Sequence, residues 1–539
     1  MQNRKLNFTS TFIITYLSLF LLAPFTLLVV YGFIENNSFT IGNLISIFKD
    51  KDFYDSFFKS IFLAGISSGL TTILALGIVY LIRKTKVPNW YKVTLKNLAI
   101  LPLLLPSISY GFAIIYVFGA NGLVKRLVGT SLIDVYSYQG LILGYMIYTI
   151  GPIFMIVNNS FRYLDENLYT ISKVLNDTKW QTFKNVTLQG MKTGLINAFF
   201  VGFSLAFSDF GLPMALNYDT LAKYLYKTTL GSVPQIGKGA IIGVILLMVP
   251  LINYLIIAYY QKKYKNLDNI QQVQPTENKK RDFLLFGATS LYFLIVILIF
   301  SVIFIVPFIK NWPYDFSFSL DIWNRNNLKR ISFYRNIVTT FEVAIYTMLV
   351  GTIITFLTAL VTTRSNNRFK KVIDAICLMP NIIPGMSLGL GYLLIVSSYG
   401  LSKYALVTMI LLNSVHFFTS PYLLFKNSLE KINSNLEDIS YVLGDSYFKT
   451  VIKILVPNLK GAFIDVMSYL FMSSFTTMSA LIFVSTYRVQ TLSLSIKTLE
   501  QNNQFNLIFA LSIVILFINL IVNSFKNYYH KKIEIIKNN

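Results

Sequence analysis

Apolar runs of about 20 residues recur along this chain, and they limit its fold more than any other feature. The first, FIITYLSLFLLAPFTLLVVYGFI at 12–34, is long enough as a helix to cross a hydrocarbon core about 30 Å thick. No water is available at that depth, so a spanning run must satisfy its backbone N–H and C=O groups internally, as a helix does. It outruns a signal-peptide core and lacks a small-x-small cleavage site, so a span is expected rather than a cleaved leader. Of 539 residues, 54% are hydrophobic and 13% charged, too little charge to cover a soluble surface. The expected fold is an all-α polytopic membrane protein. Its helices are expected near 10–33, 60–82, 97–118, 139–158, 193–216, 239–260, 284–309, 336–362, 372–397, 405–425, 461–484 and 506–526, twelve in all.

A net charge of +23 suggests nucleic acid only until the charges are placed. With the N-terminus inside, most of the 47 Lys and Arg fall in the short segments assigned to the cytoplasm. That is the positive-inside bias of a membrane protein, so no nucleic-acid partner is expected. The assignment puts both termini in the cytoplasm of a bacterial cell with the spans in its cytoplasmic membrane, and the lipid bilayer is the first partner implied. Cys377 is the lone cysteine and His416 and His530 the two histidines, so neither a disulfide within the chain nor a metal or cofactor site is expected.

The chain repeats itself. FFKSIFLAGISS (57–68) answers FYRNIVTTFEVA (333–344), and LPLLLPSISYGFA (101–113) answers MPNIIPGMSLGLG (379–391), with Pro102, Pro106 and Gly111 opposite Pro380, Pro384 and Gly389. Further on, Asn159, Ser160, Asn167, Leu168, Ser172, Leu175 and Asp177 face Asn427, Ser428, Asn435, Leu436, Ser440, Leu443 and Asp445. Matches at polar as well as apolar positions indicate duplication. Two tandem six-helix units, 1–260 and 283–539, related by a pseudo-two-fold axis, are expected on either side of a polar linker at 261–282.

Between the fourth and fifth helices of each unit lies a soluble-looking stretch, LYTISKVLNDTKWQTFKNVTLQ (168–189) and LEDISYVLGDSYFKTVIKILVP (436–457). In the second copy Ile439, Val442 and Leu443 share one side of a short helix, Gly444 ends it, and a second short helix runs to Pro457, which stops it. Such a knob carries apolar residues with no bilayer to receive them. The alternative is an amphipathic loop lying on lipid headgroups. The acidic Asp177, Glu437, Asp438 and Asp445 argue against it, because anionic lipid would repel them. A protein partner on the cytoplasmic side is the preferred reading.

This pattern resembles the signature of ATP-binding-cassette importer permeases, a Glu-Ala-Ala start, a Gly in the turn and a Leu-Pro at the end. The second copy keeps Asp438, Gly444, Ser446 and Val456-Pro457, with Ile439 and Ser440 in place of the two alanines. The first departs further, with Thr170, Ile171 and Ser172 at the start, Asn176 for the Gly and Gln189 for the Pro. Asn tolerates the left-handed backbone that Gly would take, so the turn is expected in both copies. The resemblance implies coupling segments at Thr170, Ser172, Asn176, Asp177 and Gln189 and at Asp438, Ser440, Gly444, Asp445 and Pro457. Through these, two separate ATP-binding cassette subunits would drive transport from an extracytoplasmic substrate-binding protein.

Consistent with a separate motor, no phosphate-binding loop is present. GSVPQIGKG (231–239) comes nearest, with its first Gly one position too early and no Ser or Thr after Lys238. Ion-coupled secondary transport would call for ionisable residues deep in the spans, where Asp209 of SDFGLP is the main candidate. Asp209 can line a pathway or can hydrogen-bond the backbone freed where Gly211 and Pro213 break the fifth helix. Pro102, Pro106, Pro380 and Pro384 likewise serve as helix kinks or as pathway elements. SDFGLP and FTTMSALIFVS (475–485) are similar to segments of ferric-iron-type and aminoethylphosphonate permeases. The resemblance makes ferric iron the first choice of solute, with thiamine and 2-aminoethylphosphonate as alternatives. Asp209 and tyrosines would supply the oxygen ligands that hard Fe(III) favours.

Overall fold

The computed structural model describes residues 2–35, 38–263, 273–365 and 369–538; the middle of the expected linker, 264–272, lies outside the described residues. Among the described residues eight helices are long and apolar enough to cross a membrane: Thr9–Gly32, Lys51–Lys84, Ser107–Val128, Tyr138–Phe161, Ile236–Tyr260, Lys279–Phe308, Phe333–Arg364 and Phe505–Ile533. Four more spans are bent pairs, Lys179–Leu188 with Lys192–Ser208, Lys370–Asn381 with Gly385–Ser398, Leu401–His416 with Thr419–Glu430, and Tyr447–Asn458 with Lys460–Thr476. Counted as one span each, they bring the total to twelve. The small sheets found are two-stranded hairpins in loops, Ile34–Glu35 with Ser38–Phe39 and Ile309–Asn311 with Asp315–Phe318.

Two of the spans that differ from expectation are broken at prolines. The stretch 372–397 is not one helix but two that meet at 104°, and 97–118 is interrupted by the 3-10 turn Leu101–Leu104 before Ser107. Pro106 and Pro384 each cap the helix that follows, with φ,ψ of −59°,142° and −58°,142°. Proline has no N–H to donate and pushes the residue before it towards extended backbone, and Leu105 is extended at φ −128°, ψ 150°. The expected spans 193–216 and 461–484 also stop early, at Ser208 and Thr476. Short helical turns follow, Gly211–Ala215 and Leu481–Phe483.

The two halves exchange their first helices. Thr9–Gly32 packs on the second half, where Tyr16 and Ser414 share a hydroxyl hydrogen bond of 2.6 Å and Tyr392 donates to the Phe20 carbonyl at 2.7 Å. Lys279–Phe308 packs reciprocally on the first half, where Tyr292 donates to the Met146 carbonyl at 3.2 Å and Tyr91 lies 2.7 Å from the Ser290 hydroxyl. Two hydrogen bonds at corresponding positions cross the seam. Ser387 donates to the Gly243 carbonyl at 2.8 Å, and Ser109, the first-half counterpart of Ser387, accepts from the Ser512 hydroxyl at 2.8 Å. One continuous apolar core runs from Ile13 to Leu516 through both halves.

This exchange depends on close backbone approach. A Cβ on Gly391 would stand 2.5 Å from the Pro24 carbonyl oxygen and 2.9 Å from its carbon, whereas one on Gly287 meets nothing within 4 Å. Neither backbone group can swing aside as a side chain would. Gly391→Ala is therefore predicted to destabilise the fold by about 1–3 kcal/mol, while Gly287→Ala stays within about 1 kcal/mol of the parent or improves on it. Thermal unfolding of the two full-length variants in the same detergent checks the difference.

Candidate functional site

Both repeated stretches fold into the same knob. Helices Glu166–Val174 and Asn435–Val442 each end in a left-handed residue, Asn176 at φ 55° and Gly444 at φ 82°. The caps are matched bond for bond. Asp177 N–H donates to the Ser172 carbonyl and Asp445 N–H to that of Ser440, both at 3.0 Å. Asn176 N–H reaches Lys173 O at 3.1 Å, and Gly444 N–H reaches Tyr441 O at 2.9 Å. This double closure satisfies the helix's last carbonyls and requires positive φ, which Gly takes freely and Asn tolerates. The Ser172 hydroxyl then donates to Asp177 and shares a hydrogen bond with Thr182, each 2.8 Å. Ser440 repeats this with Asp445 at 3.3 Å and Thr450 at 3.0 Å. Lys449 pairs with Asp445 and holds its carboxyl below the usual carboxylate range.

The second short helix of each knob contains a π-turn at the same place, Phe183–Leu188 and Val451–Leu455. Pro457, expected to stop this helix, instead lies inside it; the helix runs on to Asn458 and the chain turns at Leu459. A residue at the start of the turn that follows a π-bulge needs no α-type N–H bond, so proline is tolerated there. Gln189 is likewise helical and exposed, with the break at Met191. Thr170 and Asp438 are exposed on the first helices.

The knobs present matching apolar surfaces. Ile171, Val174, Leu175 and Trp180 are exposed on the first, and Ile439, Val442, Leu443 and Phe448 on the second; Val174 is 76% and Val442 88% exposed. Glu437, expected on the knob surface, is buried instead. Its carboxylate accepts from Arg364 at 2.7 Å, and the same guanidinium donates to the Leu429 and Ile432 carbonyls at 3.0 and 2.9 Å. The first knob is rooted by Lys84, 3.3 Å from Glu166 and 3.8 Å above the Tyr169 ring. Sequence reasoning missed Lys84 and Arg364. A basic residue ending the second span of each half is the signal that could have found them.

Between the halves lies a cavity of about 260 Å³. Asp209, Tyr148, Tyr254 and Ser204 line it from the first half, and Pro380, Asn381, Pro384, His416, Tyr469 and Ser479 from the second. Asp209 stands at both the cavity and the helix break. It faces the cavity, and it also closes the helix break, accepting from the Ser107 hydroxyl at 2.7 Å and from Leu212 N–H at 2.9 Å. Pro102, Pro106 and Pro213 are buried outside the cavity wall, so the first-half prolines shape the packing while their second-half counterparts line the space. His416 was missed because a lone histidine in an apolar run carries no ligand pattern. It sits where Leu401–His416 and Thr419–Glu430 bend by 51°, and its buried Nδ1 has no hydrogen-bond partner. Among the described residues no three His, Cys, Asp or Glu side chains gather into a metal-binding group.

Residues 74–265 and 351–535 each match the family described as binding-protein-dependent transport system inner membrane component. The chain belongs to that family. It carries the family's membrane domain twice, as a fused permease of the ATP-binding-cassette type. Among curated relatives, the ferric transport system permease protein FbpB of Actinobacillus pleuropneumoniae is 21% identical over 499 residues, 88% of this chain and 71% of that protein. The putative ferric transport system permease protein FbpB 1 of Haemophilus influenzae is 21% identical over 502 residues, 88% and 77% of the two chains. The molybdenum transport system permease protein ModB of Azotobacter vinelandii matches a shorter stretch, 22% identical over 157 residues, 29% of this permease and 68% of the relative.

The knob turns carry a test of their own. No atom lies within 4 Å of a Cβ placed on Gly444, so any penalty for a side chain there is backbone strain alone. Gly444→Asn, which copies the first knob, is predicted to leave the permease's second knob intact. Gly444→Val forces a β-branched residue into the left-handed region at a cost of about 1–2 kcal/mol or more and should loosen residues 435–446. Amide exchange over that segment, compared between the two variants, reads the difference.

Proposed function

We propose that this permease passes ferric iron from an extracytoplasmic binding protein into the cytoplasm, driven by separate ATPase subunits that dock on its two knobs. The observation that carries the choice of solute is the cavity lining. A carboxylate, Asp209, lines one cavity together with Tyr148, Tyr254 and Tyr469, oxygen donors of the kind that suit a hard trivalent cation. The names of the two long relatives, both for ferric transport, support the same solute over thiamine or 2-aminoethylphosphonate.

The matched, exposed apolar faces of the knobs are the surfaces on which the ATPase subunits would close, with Thr170, Ser172, Asn176 and Asp177 shaping one and Asp438, Ser440, Gly444 and Asp445 the other. Gln189 and Pro457 lie in the helices that lead from the knobs into Lys192–Ser208 and Lys460–Thr476, well placed to pass a movement of the knob into the spans beside the cavity. In this orientation both knobs and both termini are cytoplasmic. The binding protein meets the opposite face, where the Ile309–Phe318 hairpin exposes Tyr314, Phe316 and Phe318.

In vesicles supplied with the cognate ATPase and binding protein, Asp209→Asn is expected to lower uptake of labelled iron about tenfold or more, the scale of one lost charged contact. ATPase stimulation by the binding protein should persist in that variant. The chain alone should hydrolyse no ATP. Parent-level iron uptake by Asp209→Asn would remove the carboxylate from the pathway, and ATP turnover by the purified chain would overturn the assignment of the motor to separate subunits.

A further inference from the structure

The end of the segment that joins the halves does more than lead into the next helix. Residues 273–278 run without helix across the root of the first knob. Gln274 N–H donates to Glu166 Oε2 at 2.9 Å, and Thr276 N–H donates to the Lys84 carbonyl at 2.9 Å. Arg281 reinforces the contact, donating to the same Lys84 carbonyl at 3.3 Å and to the Thr276 carbonyl at 2.6 Å. Its guanidinium also lies 5.6 Å from the centre of the Tyr80 ring. Val273 packs against the core.

The second knob is rooted differently among the described residues. Arg364 alone joins Glu437 to the carbonyls of Leu429 and Ile432, because a guanidinium offers several donors in a fixed fork. Lys84 offers a single point charge, and its ion pair with Glu166 is longer, 3.3 Å against 2.7 Å. Lys84 is also the last residue of its helix, so its carbonyl has no intrahelical partner and must find one elsewhere. The joining segment supplies both missing bonds, one to the carboxylate and one to the carbonyl.

We propose that residues 274–281 act as a latch that positions the first knob for its ATPase subunit, so that the first docking site is built with the end of the joining segment, whereas Arg364 holds Glu437 at the root of the second. This rests on the reading of the knobs as docking sites. Gln274, Thr276 and Arg281 are accordingly positioning residues for the first knob only.

The test uses the full chain in lipid nanodiscs with Cys377→Ser as background. Gln274→Pro and Thr276→Pro each delete one backbone donor and change no charge, and Gln274→Ala keeps the donor. Both proline variants should speed amide exchange in 166–178 about tenfold while 435–446 is unchanged, and Gln274→Ala should match the parent. Unchanged exchange in 166–178 for both proline variants overturns the latch. Val174→Cys and Val442→Cys then report docking by cross-linking to the added ATPase subunit. The proline changes should lower the yield at position 174 several-fold and leave that at 442 alone; an equal effect at both positions, or none, overturns the positioning role. Failure of the parent chain to cross-link at either position would instead overturn the docking reading, with the exchange result still deciding whether the latch contact exists.

Discussion

Hydrocarbon offers no hydrogen bonds, so every interruption of a spanning helix must be satisfied by the protein itself. The rest of this structure depends on that constraint. At the break after Ser208 the freed Leu212 N–H is met by Asp209, whose second oxygen is met by Ser107. At the break before Ser107 the Leu104 carbonyl is met by Asn519 at 2.9 Å. A carboxylate placed to close a helix break is thereby also placed on a cavity wall, because breaks are where side chains and backbone leave the close packing of continuous helices.

Duplication turns such local solutions into a shared interior. Each half lends its first helix to the other, and the reciprocal contacts of Tyr16, Tyr392, Tyr91 and Tyr292 tie the halves together around one shared apolar core. The cavity sits on the seam that this exchange creates. Its walls are unequal, however. Pro380 and Pro384 line it while Pro102 and Pro106 are buried in packing, and His416 has no histidine opposite it in the first half.

The same inequality appears at the knobs. Their caps, π-turns and exposed apolar faces agree position by position, yet their roots differ: a forked guanidinium holds one, and a lysine assisted by the joining segment holds the other. Tyr169 stands where Glu437 stands in the second copy, so the first knob answers its cation with an aromatic ring and takes its carboxylate from Glu166 instead. A duplicated site has kept its surface and changed its foundation.

Much of this was legible in the sequence, because helical periodicity, positive-inside charge, proline placement and the repeat are local or one-dimensional signals. They gave the twelve spans, the tandem halves, the two knobs, and the left-handed turn at Asn176 as well as Gly444, since a cap of this kind is set by the backbone freedom of one residue. The burial of Glu437, the passage of the helix through Pro457 and the close approach at Gly391 were not legible. Each depends on what stands opposite: Arg364 for the carboxylate, a π-turn for the proline, the exchanged first helix for the close approach at Gly391. The sequence by itself determined which segments enter the bilayer and where they turn. Only the tertiary structure decided which turns face the cavity and which residues root the knobs, because those depend on pairings between positions far apart in the chain, and periodicity along the chain does not encode them.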